Sequence, residues 1–166
     1  MTMDSVEQVR NLGKKINYKS STPVQELFSK EFFNSLYIGI PFGFLTTNIL
    51  YINQFPDAVS DAKTGKNHLV VTLGKKNARW GYLFNLMCAF ISSFLLVDLF
   101  NENLIYFNKP IFLIGNGLLF LYGFSAFINL YKNFNSRNLV FSNLKTIYLQ
   151  IFFGIFYVIL LNLFFV

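Results

Sequence analysis

Residues 36–66 read LYIGIPFGFLTTNILYINQFPDAVSDAKTGK, an apolar run of membrane-spanning length followed at once by a charged segment. The charged segment places Asp57 and Asp61 four residues apart, so in a helix both carboxylates lie on the same face. Two bare carboxylates in this arrangement repel each other unless a divalent cation lies between them. Mg²⁺ suits such a position, because it is typically bound by one or two carboxylates together with substrate phosphates. Lys63 and Lys66 could meet the remaining phosphate charge, so the segment is a candidate half-site for a diphosphate.

The composition is that of a membrane protein. Hydrophobic residues make up 54% of the 166 residues and charged residues only 13%, whereas soluble domains carry about 25% charged residues. The net charge of +6 does not indicate nucleic-acid binding, because the basic residues lie in short segments between apolar runs and the aromatic residues lie within the runs. Cys88, the one cysteine, lies inside an apolar run and is expected to behave as a small hydrophobic residue.

Four apolar runs predict four transmembrane helices. The runs cover residues 36–55, 80–100, 111–131 and 146–166, and each has about 20 residues, enough to cross the ~30 Å hydrocarbon core at ~1.5 Å per residue. A spanning segment has to satisfy its own backbone hydrogen bonds, as a helix does. The runs lack the period-two alternation of polar and apolar residues that is typical of a membrane barrel. We therefore expect an all-α, multi-pass membrane helix bundle over residues 35–166.

The remaining segments are polar. Residues 1–34 are predicted to form a polar N-terminal segment that ends in an interfacial helix over residues 24–34, and this helix could equally be the first turns of a long, tilted span. Residues 56–79 are predicted to be the loop that carries the aspartate motif. Lys and Arg are concentrated in this loop and in the connection after the third run, so the positive-inside tendency places the motif loop in the cytoplasm. The expected location is the cell inner membrane, with several membrane crossings.

Asparagines lie inside several of the runs. Asn48 and Asn53 belong to the run that delivers the aspartates, and they are candidates to face the same cavity. The other asparagines are expected to hydrogen-bond between helices; they are Asn85, Asn116, Asn129 and Asn162. His68 is the single histidine. It could donate a hydrogen bond to phosphate, and an ordinary loop histidine is an equally good interpretation.

The segment from residue 39 to residue 74 resembles the second aspartate-rich motif of the UbiA family of intramembrane prenyltransferases. The similarity includes Asn53, the Asp-x-x-x-Asp pair of Asp57 and Asp61, the Gly-Lys dipeptide ending at Lys66 and the Leu-Val-Val-x-Leu-Gly ending at Gly74. The preceding Gly-Ile-Pro-Phe-Gly is similar to the family's helix before this motif. An isolated Asp-x-x-x-Asp pair is common, but the same pair between a membrane helix and this ending is much more specific.

The resemblance implies a fold and a function. Family members form a bundle of nine membrane helices in two similar halves, and each half brings one aspartate-rich motif to a shared cavity. Mg²⁺ ions held by both motifs bind a polyprenyl diphosphate, whose prenyl group passes to an acceptor, usually an aromatic ring. A naphthoate, as in menaquinone-type quinone biosynthesis, is the expected acceptor, and other aromatic acids and glycerol-phosphate lipids are alternatives.

The resemblance also assigns roles to individual residues. Asp57 and Asp61 match the metal-binding aspartates, and Asn53 matches the polar residue one helical turn before them. Lys66 matches a lysine expected near the diphosphate, and Lys63 is a weaker candidate for the same role. The sequence departs from the commoner pattern at Pro56, at Asn67 and at His68, which leaves the acceptor open.

The other motif of the family, of the Asn-Asp-x-x-Asp kind, has no match in this sequence. The chain is therefore expected to be the C-terminal half of a UbiA-type bundle, to act with a complementary N-terminal half and to be inactive alone. One alternative is a non-catalytic membrane assembly partner or truncated remnant. Another is an unrelated four-helix transporter or anchor, in which Asp57 and Asp61 are solvated loop charges.

Overall fold

The computed structural model describes residues 30–103 and 108–164, and no strand occurs within these two segments. Four helices follow one another: α1, Lys30–Lys63; α2, Leu69–Asn103; α3, Lys109–Asn133; and α4, Leu139–Phe164. All four are long and apolar enough to cross a membrane. The prediction of an all-α, multi-pass membrane helix bundle is confirmed.

The helices extend further than the apolar runs from which they were predicted. α1 continues past Phe55 as far as Lys63 and includes Pro56, and α2 begins at Leu69. The segment predicted to be a loop is therefore largely helical, with only residues 64–68 outside the two helices. An apolar run marks the part of a helix that meets hydrocarbon, and polar residues at a membrane surface can continue the same backbone hydrogen bonds.

The predicted N-terminal elements are only partly covered by the structure. Residues 1–29 lie outside the described residues, and so does most of the interfacial helix predicted over residues 24–34. The last residues of that predicted helix belong to α1, which begins at Lys30.

A break divides α2 near its start. Gly74 has φ 72° and ψ 147°, a backbone conformation that is essentially restricted to glycine. Residues 69–73 thus form a short helical segment, and the long part of α2 starts again at Lys75. The charged residues that follow Gly74 consequently lie at a helix start, although the sequence predicted them in a loop.

The beginning of α3 has an ordinary cap. The side-chain oxygen of Asn108 accepts a hydrogen bond from the amide of Ile111 at 3.1 Å, and a proline, Pro110, follows in the first turn. Both features favour a helix start. Between α3 and α4, residues 134–138 form consecutive turns.

The core is built from buried apolar side chains of all four helices, such as Phe55, Tyr82, Phe112 and Phe153. From Asn34 onward the described residues belong to one compact unit, and α3 packs against both α2 and α4. A polar contact joins these three helices, because the Ser93 hydroxyl of α2 hydrogen-bonds both Asn116 of α3 and Tyr157 of α4. All three residues are buried. An unpaired polar group in hydrocarbon is costly, so this contact helps to define how the helices are aligned.

A glycine of α3 lies at a close contact with both neighbouring helices. A Cβ atom placed on Gly123 of α3 would lie 2.8 Å from the side chains of Leu86 and Leu149, which belong to α2 and α4. A larger residue at this position requires the side chains of Leu86 and Leu149 to move.

α1 is attached to the other helices mainly through side chains. The Asn48 amide donates to the backbone carbonyl of Tyr82 at 3.1 Å, and the Tyr51 hydroxyl donates to the carbonyl of Ala78 at 2.7 Å. On the α4 side, the ring of Phe42 lies 5.0 Å from that of Phe153. The interhelical hydrogen bonding predicted for Asn116 is confirmed, whereas Asn129 and Asn162 bond within their own helices. Asn48, a predicted candidate to face the cavity of the aspartates, instead bonds between α1 and α2.

The outer surface of the bundle is apolar. Large hydrophobic side chains on α1, α2 and α3 are more than 60% exposed, and those on α4 are up to 59% exposed. In a soluble protein a surface of this kind would cause association, but in a bilayer it faces lipid. The most exposed of them are Leu50, Phe84, Leu95, Ile114, Leu118 and Leu121.

Candidate functional site

The aspartate pair lies near the end of α1, where the helix holds both side chains on one face. Asp57 is exposed, and among the described residues its carboxylate has no ion pair. Asp61 is more enclosed, with 20% of its side chain exposed. The two carboxylates therefore differ: Asp57 is open to solvent, and Asp61 is engaged by the chain.

Both oxygens of Asp61 have partners from the connection between α1 and α2. The Lys66 ammonium lies 3.3 Å from Oδ1, and Nε2 of His68 lies 3.2 Å from Oδ2. Two of the predicted phosphate-binding residues are thus brought to one of the predicted metal-binding residues. Proximity of this kind is what a diphosphate site requires, since the cation-binding and anion-binding groups have to act on the same ligand.

The connection has a defined shape because it begins with a helix C-cap. Gly65 has φ 78°. The Lys66 amide donates to the carbonyl of Asp61 at 3.0 Å, and the Gly65 amide donates to the carbonyl of Ala62 at 3.3 Å. These are the paired hydrogen bonds of a Schellman motif, which favours glycine at the left-handed position. The turn directs Lys66 back over the last turn of α1, beside Asp61.

His68 links the end of α1 to the start of α2. Its Nδ1 accepts a hydrogen bond from the amide of Val71 at 3.4 Å, in the first turn of α2. A ring nitrogen that accepts carries no proton, so this contact assigns the proton of the neutral imidazole to Nε2. Nε2 can then donate to Asp61. The ring is 19% exposed, so it behaves as a structural link as well as a candidate phosphate donor.

Lys63 and Asn53 lie on either side of the aspartate pair along α1. Lys63 is exposed in the last turn, where a cation also interacts favourably with the helix dipole. Asn53 is one turn before Asp57, and its side-chain oxygen accepts a hydrogen bond from Asn143 of α4. The contact with Asn143 places Asn53 on the side of α1 that faces α4.

Asn48 is fully buried between α1 and α2. Its amide nitrogen is used by the contact with Tyr82, and its oxygen is a buried atom without a hydrogen-bond partner. The structure therefore brings together Asp61, Lys66 and His68, and it separates Asn48 from them by more than two helical turns.

The donor set fits Mg²⁺ bound partly by substrate. Among the residues that the structure describes, no three His, Cys, Asp or Glu residues are grouped to hold a metal ion, so this part of the chain offers no closed metal cage. Two carboxylates one turn apart do suit Mg²⁺ when phosphate and water complete its octahedral shell. The Lys66 side chain is 71% exposed, and an exposed ion pair contributes only about 0–1 kcal/mol, so Lys66 can readily yield its place on Asp61.

A cavity of about 440 Å³ lies beside this site and was missed by sequence reasoning. It opens between α1, the start of α2 and residues 134–138, and its polar wall includes Lys75, Arg137 and Asn143. The only sequence signal for this cavity was the presence of basic residues near the ends of the apolar runs. The positive-inside tendency had already explained these residues, so they did not indicate a cavity. Nothing in the spacing of these residues indicates that the fold brings them to one cavity.

Comparison of the chain with family models, with curated proteins and with solved structures finds no match. The resemblance to UbiA prenyltransferases therefore stays a prediction from the motif residues of the sequence.

Proposed function

We propose that the chain supplies the second aspartate-rich half of a Mg²⁺-dependent membrane prenyltransferase of the UbiA kind. The enzyme would transfer a polyprenyl group from its diphosphate to an aromatic acceptor, with a naphthoate of quinone biosynthesis as the expected acceptor. One observation carries the proposal: Asp57 and Asp61 share a face near the end of a membrane-spanning helix, and the turn at Gly65 returns Lys66 to Asp61.

Each residue has a defined task in this proposal. Asp57 and Asp61 would hold Mg²⁺, which would supply positive charge where negative charge develops on the departing diphosphate. Lys66 leaves Asp61 and donates to a phosphate oxygen, a short movement for an exposed side chain. His68 keeps the Asp61 carboxylate oriented through Nε2. During transfer the allylic C–O bond breaks, a C–C bond to the acceptor ring forms, and the ring proton passes to water.

The proposal requires a second acidic motif. Two carboxylates fill only part of an octahedral Mg²⁺ shell, and a diphosphate needs more positive charge than one ion and one lysine provide. A complementary half, either a separate chain or another segment, would bring the missing carboxylates. The exposed apolar side chains of the bundle, such as Leu95 and Phe84, offer a surface for further membrane helices.

The proposed location follows from charge. The connections 64–68 and 134–138, together with the helix ends around them, carry most of the basic residues of the described chain. The positive-inside tendency then places the aspartate site on the cytoplasmic side of the cell inner membrane, where diphosphate substrates and Mg²⁺ are available.

Substitution of the aspartates tests the proposal. The gene for the chain is deleted in its native host, and the host is then made to produce the wild-type protein or a variant. Prenyl transfer by membranes from these cells is followed with labelled farnesyl diphosphate, 1,4-dihydroxy-2-naphthoate and Mg²⁺. We expect Asp57→Asn and Asp61→Asn each to lower the transfer rate by roughly a hundredfold, as loss of a preorganised charge stabiliser typically does. Asp98→Asn is the matched control, because Asp98 is an exposed aspartate near the opposite end of α2, and its rate should be unchanged.

A specific contact favours one other candidate function. Asp61 already has a partner on each oxygen, as it would in a non-catalytic assembly partner that uses these bonds only for folding. In that case both aspartate variants would leave the transfer rate per assembled complex unchanged and would lower only the amount of complex. An equal rate for Asp57→Asn and Asp98→Asn at equal protein levels would rule out the catalytic role.

A further inference from the structure

The cavity of about 440 Å³ lies at the end of the bundle where α1 ends and α2 begins. Nothing in the proposed prenyl transfer uses it, since neither Asp57 nor Asp61 lines its wall. Its wall has two parts. One part is polar and positively charged, with Lys75 and Arg137, and the other is apolar, with Ile52, Phe134 and Val140. A ligand for this cavity should therefore have an anionic end and an apolar end.

The positive charge of the cavity is not neutralised within the described part of the chain. The ion pairs recorded there both belong to Asp61, and neither Lys75 nor Arg137 takes part in one. No aspartate or glutamate lines the cavity. Two cations that approach one cavity without a counter-ion repel each other, and an anion between them removes that repulsion.

The backbone adds to the attraction for an anion. Lys75 is the first residue after the break at Gly74, where the long part of α2 starts, and Leu139 of the cavity wall is the first residue of α4. Helix starts carry a partial positive charge. Both helix starts therefore favour a negative charge in the same cavity that Lys75 and Arg137 line.

The far wall of the cavity is held in place by Arg79. Its guanidinium donates to the carbonyl of Tyr131 at 3.1 Å and lies 3.7 Å from the centroid of the Tyr131 ring. It also lies 5.1 Å from the ring of Phe134, which lines the cavity. Cation–π contacts of this kind order the connection between α3 and α4, so the cavity is formed before a ligand arrives.

We propose that this cavity binds the head group of an acidic phospholipid. The phosphate lies between Lys75 and Arg137, and the first carbons of the acyl chains lie against Ile52, Phe134 and Val140. The Oδ1 atom of Asn143 is buried and lacks a hydrogen-bond partner, so it can accept a hydrogen bond that a hydroxyl of the head group donates. Basic pockets at the ends of membrane helices commonly bind anionic lipids. The apolar wall favours a lipid over a free phosphate ester, which would gain nothing from it.

Lipid titration of the purified full-length chain tests this proposal. The delipidated protein in a neutral detergent is titrated with dioleoyl phosphatidylglycerol or dioleoyl phosphatidylcholine, and bound lipid is counted by native mass spectrometry. We expect phosphatidylglycerol to bind at least about tenfold more tightly. Lys75→Gln and Arg137→Gln should each weaken its binding about tenfold, the usual contribution of one charge-assisted hydrogen bond.

Two sets of variants serve as controls. Lys76→Gln and Lys132→Gln, each made alone, remove one positive charge at the same end of the bundle from exposed residues that do not line the cavity, and each should change affinity less than about twofold. Lys75→Arg with Arg137→Lys keeps both charges and should keep selectivity for phosphatidylglycerol. Thermal unfolding of each variant shows whether it is folded, and either single glutamine variant suffices if the other does not fold.

Three results would overturn the proposal. Equal weakening by the control pair would mean that surface charge attracts the lipid without a specific site. Equal affinity for the two lipids would mean that the anionic head group is not recognised. Displacement of the lipid by glycerol 1-phosphate at similar concentration would mean that the apolar wall contributes nothing and that the ligand is a free phosphate ester.

Discussion

Asp61 has two contacts of very different strength. Lys66 reaches it from solvent as a mobile, mostly exposed cation, whereas the His68 ring is largely enclosed and is held from its other nitrogen by the first turn of α2. Exposed ion pairs contribute little because water and salt screen them and a long side chain has to be ordered. The same carboxylate is therefore firmly placed by one neighbour and loosely covered by the other.

His68→Ala should destabilise the protein by about 1–2 kcal/mol, because it removes a helix cap and leaves part of Asp61 without its donor. Lys66→Ala should cost less than about 0.5 kcal/mol, since only an exposed pair is lost. Reversible unfolding in mixed detergent micelles, followed by circular dichroism, measures both values. An equal decrease in the free energy of unfolding for the two variants would show that His68 does not link α1 to α2.

Two glycines determine how α1 passes into α2. Gly65 ends α1 with a turn that other residues adopt at a cost, and Gly74 restarts α2 after a short helical segment. Pro56, by contrast, lies within α1 and does not end it. A proline in a membrane helix removes one backbone hydrogen bond but is tolerated when its surroundings compensate.

Gly65→Ala should destabilise the protein by about 1–2 kcal/mol, because alanine is strained at this positive φ although no atom lies near the new Cβ. Gly117→Ala is the matched control. A Cβ at Gly117 also meets no atom within 4 Å, but the residue is helical, so alanine should be neutral or stabilise slightly. If both changes had the same effect, the backbone argument for Gly65 would fail.

The four helices were predictable because each has a long apolar run, but their ends were not. Residues 56–63 mix charged residues with small ones and extend no apolar run, yet they continue α1, because backbone hydrogen bonding does not depend on an apolar side chain. Gly74, between an apolar segment and charged residues, could equally have marked a loop or a break within a helix. The contacts of Asp61 were partly predictable, since Lys66 and His68 are close to it in sequence. The cavity was not, because Lys75 and Arg137 meet only after α3 and α4 have packed.

At the scale of the whole molecule, four consecutive spans place the connections alternately on two sides of the membrane. The aspartate site and the cavity with Lys75 and Arg137 are at the same end of the bundle. Both depend on charged residues, and both would be exposed to the same aqueous compartment. The opposite end carries the start of α3 at Lys109.

Cysteine labelling in sealed vesicles checks this arrangement. In a Cys88→Ala background, Thr64→Cys and Ser136→Cys should react with a membrane-impermeant maleimide from the same side. Lys109→Cys should react only from the other side. All three positions are exposed. Labelling of Lys109→Cys together with Thr64→Cys would contradict a four-span topology.

The length of α1 has a consequence for access. Its 34 residues extend about 51 Å at ~1.5 Å per residue, well beyond the ~30 Å of hydrocarbon. If the apolar run ends at the hydrocarbon boundary near Phe55, Asp57 stands about 3 Å and Asp61 about 9 Å outside it. A hydrated ion, or a water-soluble chelator, then reaches both carboxylates without entering the lipid phase. Exchange of an ion between water and these two carboxylates would depend on diffusion through the head-group layer and on ionic strength, and not on bilayer permeability.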